Sequence, residues 1–92
     1  MASVRGMRTL PKAFGEVVRR LRKEVEPSQE KFAARARISR TYMSEIERGV
    51  TNVSLDTIDR VARGLGMSLG ELFAEVDLER GRRGQTKHKS DL

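Results

Sequence analysis

The polar side chains between residues 40 and 48 are the groups of this sequence best suited to recognition chemistry. If this segment is a helix, five of them fall within about 140° of one another, on the side opposite Met43 and Ile46. They are Arg40, Thr41, Ser44, Glu45 and Arg48. Their guanidinium, hydroxyl and carboxylate groups can bond to base edges in a DNA major groove, which is about 12 Å wide. An ordinary solvated helix face has a similar composition, so both interpretations stay open at this point.

Groups that could carry out catalysis are scarce in this chain. It has no Cys and one His, His88, which excludes disulfides, thiol catalysis, zinc clusters and a Ser-His-Asp triad inside the fold. We find no paired carboxylates, metal-ligand cluster or phosphate-binding glycine loop in a pocket-forming position. The sequence therefore predicts a binding protein that is not an enzyme and needs no cofactor or metal.

The length of 92 residues leaves room for one domain. Apolar residues make up 37% of the chain and charged residues 35%, which is typical of a soluble protein. No apolar run approaches the roughly 18 residues that a membrane span needs, and the N-terminus has no signal-peptide pattern. We expect a cytoplasmic protein with no membrane contact.

The net charge of +6 indicates a polyanionic partner, and most of it lies at the two ends. Residues 1–12 carry +3, residues 13–76 carry +1, and residues 77–92 carry +2. The ends are either flexible tails that keep the protein soluble or arms that add phosphate attraction to a more specific body.

Two short helices joined by a tight turn are predicted to present the polar face. Ser28 and Ser39 are N-cap residues placed so closely that helix two, residues 29–36, has only about two turns. Helix three, residues 40–48, ends at Gly49, which tolerates the left-handed conformation. This spacing outlines a helix-turn-helix and favours recognition over plain solvation for helix three.

Three further helices complete an all-α prediction. Helix one begins at Pro11 and ends before Pro27, with an apolar stripe at helical spacing. Helix four follows the N-cap Ser54, and a capping box of Ser68 and Glu71 begins helix five. No segment shows the alternation of a half-buried strand. The predicted core consists of Phe14, Val18, Leu21, Phe32, Ala33, Ile38, Met43, Ile46, Leu55, Ile58, Val61, Leu65 and Phe73.

The composition divides the chain into three parts. Residues 1–11 form a flexible basic arm, residues 12–78 form the helix-turn-helix domain, and residues 79–92 form a flexible basic tail. The ends have no apolar period and cannot bury enough apolar area to offset the entropy of ordering.

Three segments carry a resemblance to a known family. They are SQEKFAARARIS at 28–39, SRTYMSEIERG at 39–49 and SLDTIDRVARGLGMSLGELF at 54–73. In this order they resemble the Cro and phage-repressor type of helix-turn-helix regulator, also called the xenobiotic-response-element type. The resemblance implies a compact five-helix domain like that of lambda repressor, in agreement with the helices read from the pattern. The run RTYMSEIERG, followed by a short tail, resembles the controller regulators associated with restriction-modification systems.

The resemblance also implies which residues contact DNA. Positions that touch base edges in the family fall on Arg40, Thr41, Ser44 and Glu45. Arg40 would read a guanine, and Glu45 would accept from cytosine or orient Arg40. The alternative for Glu45 is a surface carboxylate that disfavours other sequences. Expected phosphate contacts are Gln29, Ser39, Tyr42, Arg48 and Asn52. For Tyr42, packing against the core is an equal alternative.

Glu47 has a structural role in the family, where it pairs with an arginine on helix one, here Arg22. Three residues depart from the family pattern. Lys31 replaces the acidic residue that completes the capping box of helix two, Arg37 replaces the usual turn glycine, and Pro27 stands where an apolar residue often packs. A left-handed Arg37 would cost roughly 1–2 kcal/mol.

Apolar residues of helix five suggest a twofold dimer that binds a palindromic double-stranded operator. The expected interface residues are Leu69, Leu72, Val76 and Leu78, and the alternative is that they complete the core of the monomer. In a dimer, the two copies of helix three would lie about 34–36 Å apart, one DNA turn. The function predicted is a transcriptional repressor or autoregulator. The alternative is an antitoxin or adaptor that uses the same fold to hold a protein.

Overall fold

A computed structural model of the chain describes the backbone of residues 9–84 and the side chains of residues 9–81. Within this part the chain forms five α-helices and no strand, as the sequence predicts. The helices are α1 (Leu10–Val25), α2 (Gln29–Ala36), α3 (Arg40–Arg48), α4 (Leu55–Leu65) and α5 (Leu69–Gly84). Residues 1–8 of the predicted arm and 85–92 of the predicted tail, His88 included, lie outside the described residues.

Serine caps begin four of the helices where they were predicted. The hydroxyls of Ser28, Ser39 and Ser54 each accept a backbone N–H three residues later, at 3.0–3.1 Å. Ser68 and Glu71 form the reciprocal pair of a capping box, with distances of 2.9 and 3.0 Å. These bonds satisfy backbone donors that the first turn of a helix would otherwise leave unpaired.

The departures at Lys31 and Arg37 are visible in the structure. The backbone N–H of Ser28 is satisfied by the Glu26 carboxylate at 2.9 Å, so this side chain supplies what Lys31 cannot. Arg37 adopts the left-handed conformation with φ 63° and ψ 43°, and it is the one non-glycine residue with positive φ among those described. The strain expected from a Cβ in this turn is therefore present.

Most predicted core residues are buried, with one clear error. Leu55 is 80% exposed because it occupies the first turn of α4, about 90° from the centre of that helix's buried stripe. Thr57 is buried in this turn and accepts a hydrogen bond from Ser54. Leu21, Ile38 and Phe73 are partly buried against the core. Six further residues are buried that were not predicted as core, namely Ala13, Val17, Ala36, Ala62, Leu72 and Val76.

Both ends of the domain extend further than predicted. The N-cap of α1 is Thr9, and the helix begins at Leu10. At the other end, α5 continues past Leu78 to Gly84, so residues 79–84 of the predicted tail are helical. Glu79 is buried. Val76 and Glu79 follow Leu72 by four and seven residues, so all three lie on the same side of α5.

A close backbone crossing joins α1 to α3. A Cβ built on Gly15 would lie 2.3 Å from the carbonyl oxygen of Ile46 and 2.8 Å from that of Glu47. Only glycine permits this approach, and it fixes the position of α3 relative to α1.

Candidate nucleic-acid interface

The exposed side of α3 carries the four predicted base-contacting residues together. Arg40 and Thr41 are exposed, Ser44 and Glu45 are partly exposed, and Met43 and Ile46 occupy the opposite, buried side. Arg48 is exposed one turn beyond Ser44. The face therefore presents donors and acceptors to solvent from a helix that is only nine residues long.

Both ends of α3 are held by specific contacts. At its start the Ser39 hydroxyl caps the helix, and Tyr42, which is partly buried, packs against the core. At its end Gly49 takes the left-handed conformation, and the Lys12 ammonium donates to the carbonyl of Arg48 at 3.3 Å. A cation at this position complements the negative end of the helix dipole. Packing of Tyr42 is thus present, while its phosphate contact and that of Ser39 remain predictions.

The predicted ion pair between Arg22 and Glu47 is present and buried. Arg22 donates from Nε to Glu47 Oε2 at 2.5 Å and from Nη2 to Oε1 at 3.1 Å. The two residues are 4% and 8% exposed. The third guanidinium nitrogen donates to the backbone carbonyls of Glu26 and Pro27 at 3.2 and 2.6 Å. Such a two-pronged pair fixes the angle between α1 and α3 as well as their distance.

Gln29 is fixed by the same carboxylate. Its side-chain amide donates to Glu47 Oε1 at 3.0 Å, so the first residue of α2 is bonded to α3 and, through Glu47, to α1. Nε2 carries two N–H donors, and one of them remains for a ligand. The residue expected at a phosphate is therefore held in one orientation before any ligand arrives.

These residues line a polar cleft of about 350 Å³, which we call the Arg19 cleft. Its lining consists of Arg19, Arg22, Gln29, Ser44, Glu47 and Arg48. The structure thus brings three predicted contacts, Gln29, Ser44 and Arg48, beside Arg19, which the sequence analysis missed. The available signal was spacing, because Arg19 precedes Arg22 by three residues and so shares its side of α1.

Asn52 does not join this group. It is exposed in the loop after α3 and lines a small, mainly apolar cleft of about 130 Å³ together with Phe14 and Phe73. None of the other predicted DNA contacts lines that cleft. A phosphate contact by Asn52 would therefore be made separately from the Arg19 cleft.

Two of the four predicted dimer residues are not available to a second copy. Leu72 and Val76 are buried by this chain's own core, since they lie on the inward side of α5. For these two the expectation of an interface contact was wrong, and the alternative, that they complete the monomer, is correct. Leu69 and Leu78 remain exposed, at 42% and 56%.

The described residues contain neither a metal-ligand cluster nor a membrane-spanning helix. Between residues 9 and 81, no three His, Cys, Asp or Glu side chains come close enough together to hold a metal ion. Within the described chain, no helix combines the length and apolar character needed to cross a membrane.

Comparison with known proteins identifies the family. Residues 13–76 match the family model described as a helix-turn-helix domain. The control protein C.MunI of a Mycoplasma species is 46% identical over 67 residues, covering 72% of this chain and 90% of that protein. The restriction-modification controller C.AhdI from Aeromonas hydrophila superposes with a TM-score of 0.65 and 38% identity over 68% of this chain and 96% of that one.

A third similar structure contains DNA. The restriction-modification controller C.Esp1396I, solved as a tetramer on its natural 35 base-pair operator, superposes with a TM-score of 0.72 and 28% identity. The match covers 78% of this chain and 95% of that one. Together with the family model and the geometry of α2 and α3, these relatives show that the chain belongs to the helix-turn-helix family of transcriptional regulators, among its small controller-type members.

Proposed function

We propose that this protein is a transcriptional regulator of the controller type that binds a palindromic double-stranded DNA operator as a homodimer, with α3 in the major groove. The observation that carries the proposal is the exposed polar face of α3. Capping residues hold this helix at both ends, and the Arg22–Glu47 ion pair holds it against α1. A helix whose backbone is already held in place loses little backbone freedom on binding, which favours affinity and sequence discrimination.

Each predicted residue has a proposed role at the DNA. Arg40 reads guanine through two hydrogen bonds, Thr41 and Ser44 contact bases or the thymine methyl group, and Glu45 accepts from cytosine. In the Arg19 cleft, Gln29 and Arg48 bind phosphate, and Arg19 is added to them because its exposed guanidinium lines the same cleft. Further phosphate contacts are proposed for Ser39, Tyr42 and Asn52.

The proposed dimer contact uses three of the leucines that the monomer leaves exposed. With Leu72 and Val76 inside the core, these are Leu69 and Leu78 on α5 and Leu55 on α4. Leu55 is 80% exposed and is the most exposed large apolar side chain of α4. This exposure favours a contact in which a second copy of the chain covers Leu55.

We also propose that the protein is cytoplasmic and that it catalyses no reaction. An antitoxin or adaptor role is not favoured, because the similar proteins described above are control proteins.

Selection of bound DNA from a pool of random-sequence duplexes tests this function. We expect the protein to enrich a palindromic site whose half-sites are centred about 34–36 Å apart, and sedimentation to find two chains per site. Enrichment of no sequence, or of a single half-site by a strict monomer, would contradict the proposal.

A further inference from the structure

A second basic cleft has no part in the function described so far. It has a volume of about 450 Å³ and lies between the C-terminal half of α2 and α4. We call it the arginine cleft, because four of its seven lining residues are arginines and one is an acid. The lining consists of Arg35, Ala36, Arg37, Asp59, Arg60, Arg63 and Gly64.

Specific bonds hold two of these arginines between the helices. Arg60 donates from Nη1 to the backbone carbonyl of Arg37 at 3.2 Å and pairs through Nη2 with Asp56 at 2.6 Å. Arg35 donates from Nη1 to the carbonyl of Gly64 at 3.3 Å, and its Nη2 pairs with the Glu26 carboxylate at 3.9 Å. Each guanidinium has five N–H donors, and these contacts use only some of them. The remaining donors make the cleft suitable for an anion with several oxygen atoms.

Arg37 is a second, independent indication that the cleft has a role. It is the strained left-handed residue of the turn between α2 and α3, where glycine would have no Cβ to accommodate. The sequence instead has a side chain there that adds a positive charge to the cleft. A strained residue that places a charged group in a cleft is grounds for a functional hypothesis.

The arginine cleft includes the first residue of the turn that leads into α3, although no residue of α3 lines it. Arg37 is followed by Ile38 and the cap Ser39, and α3 begins at the next residue. The Arg19 cleft, in contrast, contacts α3 at Ser44 and Arg48. Cationic groups therefore lie at two places, one against α3 itself and one at the turn that precedes it.

We propose that the arginine cleft binds the phosphate backbone of the same DNA duplex, outside the stretch of major groove that α3 occupies. This inference rests on the proposed function, because α3 must enter the groove for the cleft to meet the backbone. Arg35, Arg37 and Arg63 are exposed, and of these Arg37 and Arg63 are the proposed phosphate contacts. The Arg63 side chain is 79% exposed and its only described bond is to Asp59, at 3.2 Å.

The test compares Arg37→Gly and Arg63→Gln with the parent protein on two duplexes. One duplex carries only the selected site, and the other extends it by about ten base pairs at each end, one helical turn. Binding is measured by fluorescence anisotropy at several salt concentrations, and unfolding is followed by circular dichroism. Lys23→Gln is the matched control, since it removes one exposed charge from α1 and Lys23 lines neither cleft.

On the extended duplex we expect each arginine variant to bind up to about fivefold more weakly, the upper range for one exposed ion pair. The slope of log affinity against log salt should become shallower by about 0.9 for each phosphate that the variant no longer neutralises. Arg37→Gly should also raise the unfolding temperature, so that its weaker binding cannot come from misfolding. Lys23→Gln should retain the parent's slope.

Unchanged slopes for both arginine variants on the extended duplex would overturn the proposal. The same titration is repeated with polyglutamate in place of DNA. Weaker binding of both arginine variants to polyglutamate, with unchanged slopes on DNA, would overturn the proposal and assign the cleft to an acidic protein. If the parent itself prefers no sequence, the proposed function fails instead, which separates the two failures.

Discussion

Removing the carboxylate of Glu47 should be the most damaging single change to this fold that leaves the apolar core intact. Three hydrogen bonds end on this group, two from Arg22 and one from Gln29. The ion-pair side chains are only 5% and 4% exposed. Glu47→Ala would leave the guanidinium of Arg22 buried without a counter-charge, and loss of one partner of a buried pair costs about 3–5 kcal/mol.

A loss of this size is a large part of the total stability of a small domain, which is about 5–15 kcal/mol. Urea denaturation followed by circular dichroism should therefore find a much lower midpoint urea concentration for Glu47→Ala than for the parent. Extrapolation to water gives the difference between their free energies of unfolding. Glu24→Ala is the matched control, because Glu24 is exposed on α1, and its effect should stay within about 0.5 kcal/mol.

The double variant Arg22→Met, Glu47→Leu separates the loss of the pair from the burial of an unpaired charge. It removes both charges, so it should be more stable than Glu47→Ala even though the carbonyls of Glu26 and Pro27 lose a donor. The reasoning is refuted if Glu47→Ala unfolds within about 1 kcal/mol of the parent, or if the double variant is less stable than that single variant.

Three further predictions concern the crossing of α1 and α3, the start of α3 and the dimer. Gly15→Ala should destabilise the fold by about 1–3 kcal/mol, because its Cβ would meet the Ile46 carbonyl. In thermal denaturation Gly70→Ala should be neutral or stabilising, because a Cβ there would make only an ordinary contact with the Ser68 hydroxyl at 3.9 Å. Ser39→Ala should cost about 1 kcal/mol of stability by removing the cap of α3, and an unchanged midpoint would contradict that role. Leu55→Glu should shift sedimentation toward the monomer and weaken operator binding. The free energy of unfolding of the monomer should stay within about 0.5 kcal/mol of the parent's, because Leu55 is exposed.

The order of the helices could be predicted because its signals are local. A serine precedes four of the helices, and a left-handed residue follows α2, α3 and α4, so capping alone places most of the boundaries. The Arg22–Glu47 pair, in contrast, was expected only from the family resemblance. Nothing in the spacing of two residues on different helices states that they meet.

The errors lie where burial depends on neighbouring elements. Leu55 and Leu72 both belong to apolar stripes, yet Leu55 is exposed and Leu72 is buried. An apolar stripe in the sequence does not show which of its residues another helix will cover. Glu79 was assigned to the tail on its composition, although it continues the buried side of α5. Arg19 and the arginine cleft were missed for the same reason, since each becomes a site only when separate helices come together.

The most direct test of the central claim is the discrimination between the selected operator and a scrambled duplex of the same length at one salt concentration. The parent should bind the operator at least about 10³-fold more tightly. Arg40→Ala should lower that ratio by about 5- to 150-fold, the value of one two-bonded contact to a base, with little change on the scrambled duplex. Equal binding of both duplexes by the parent, or an unchanged ratio in Arg40→Ala, would contradict the assignment of α3 as the helix that reads DNA.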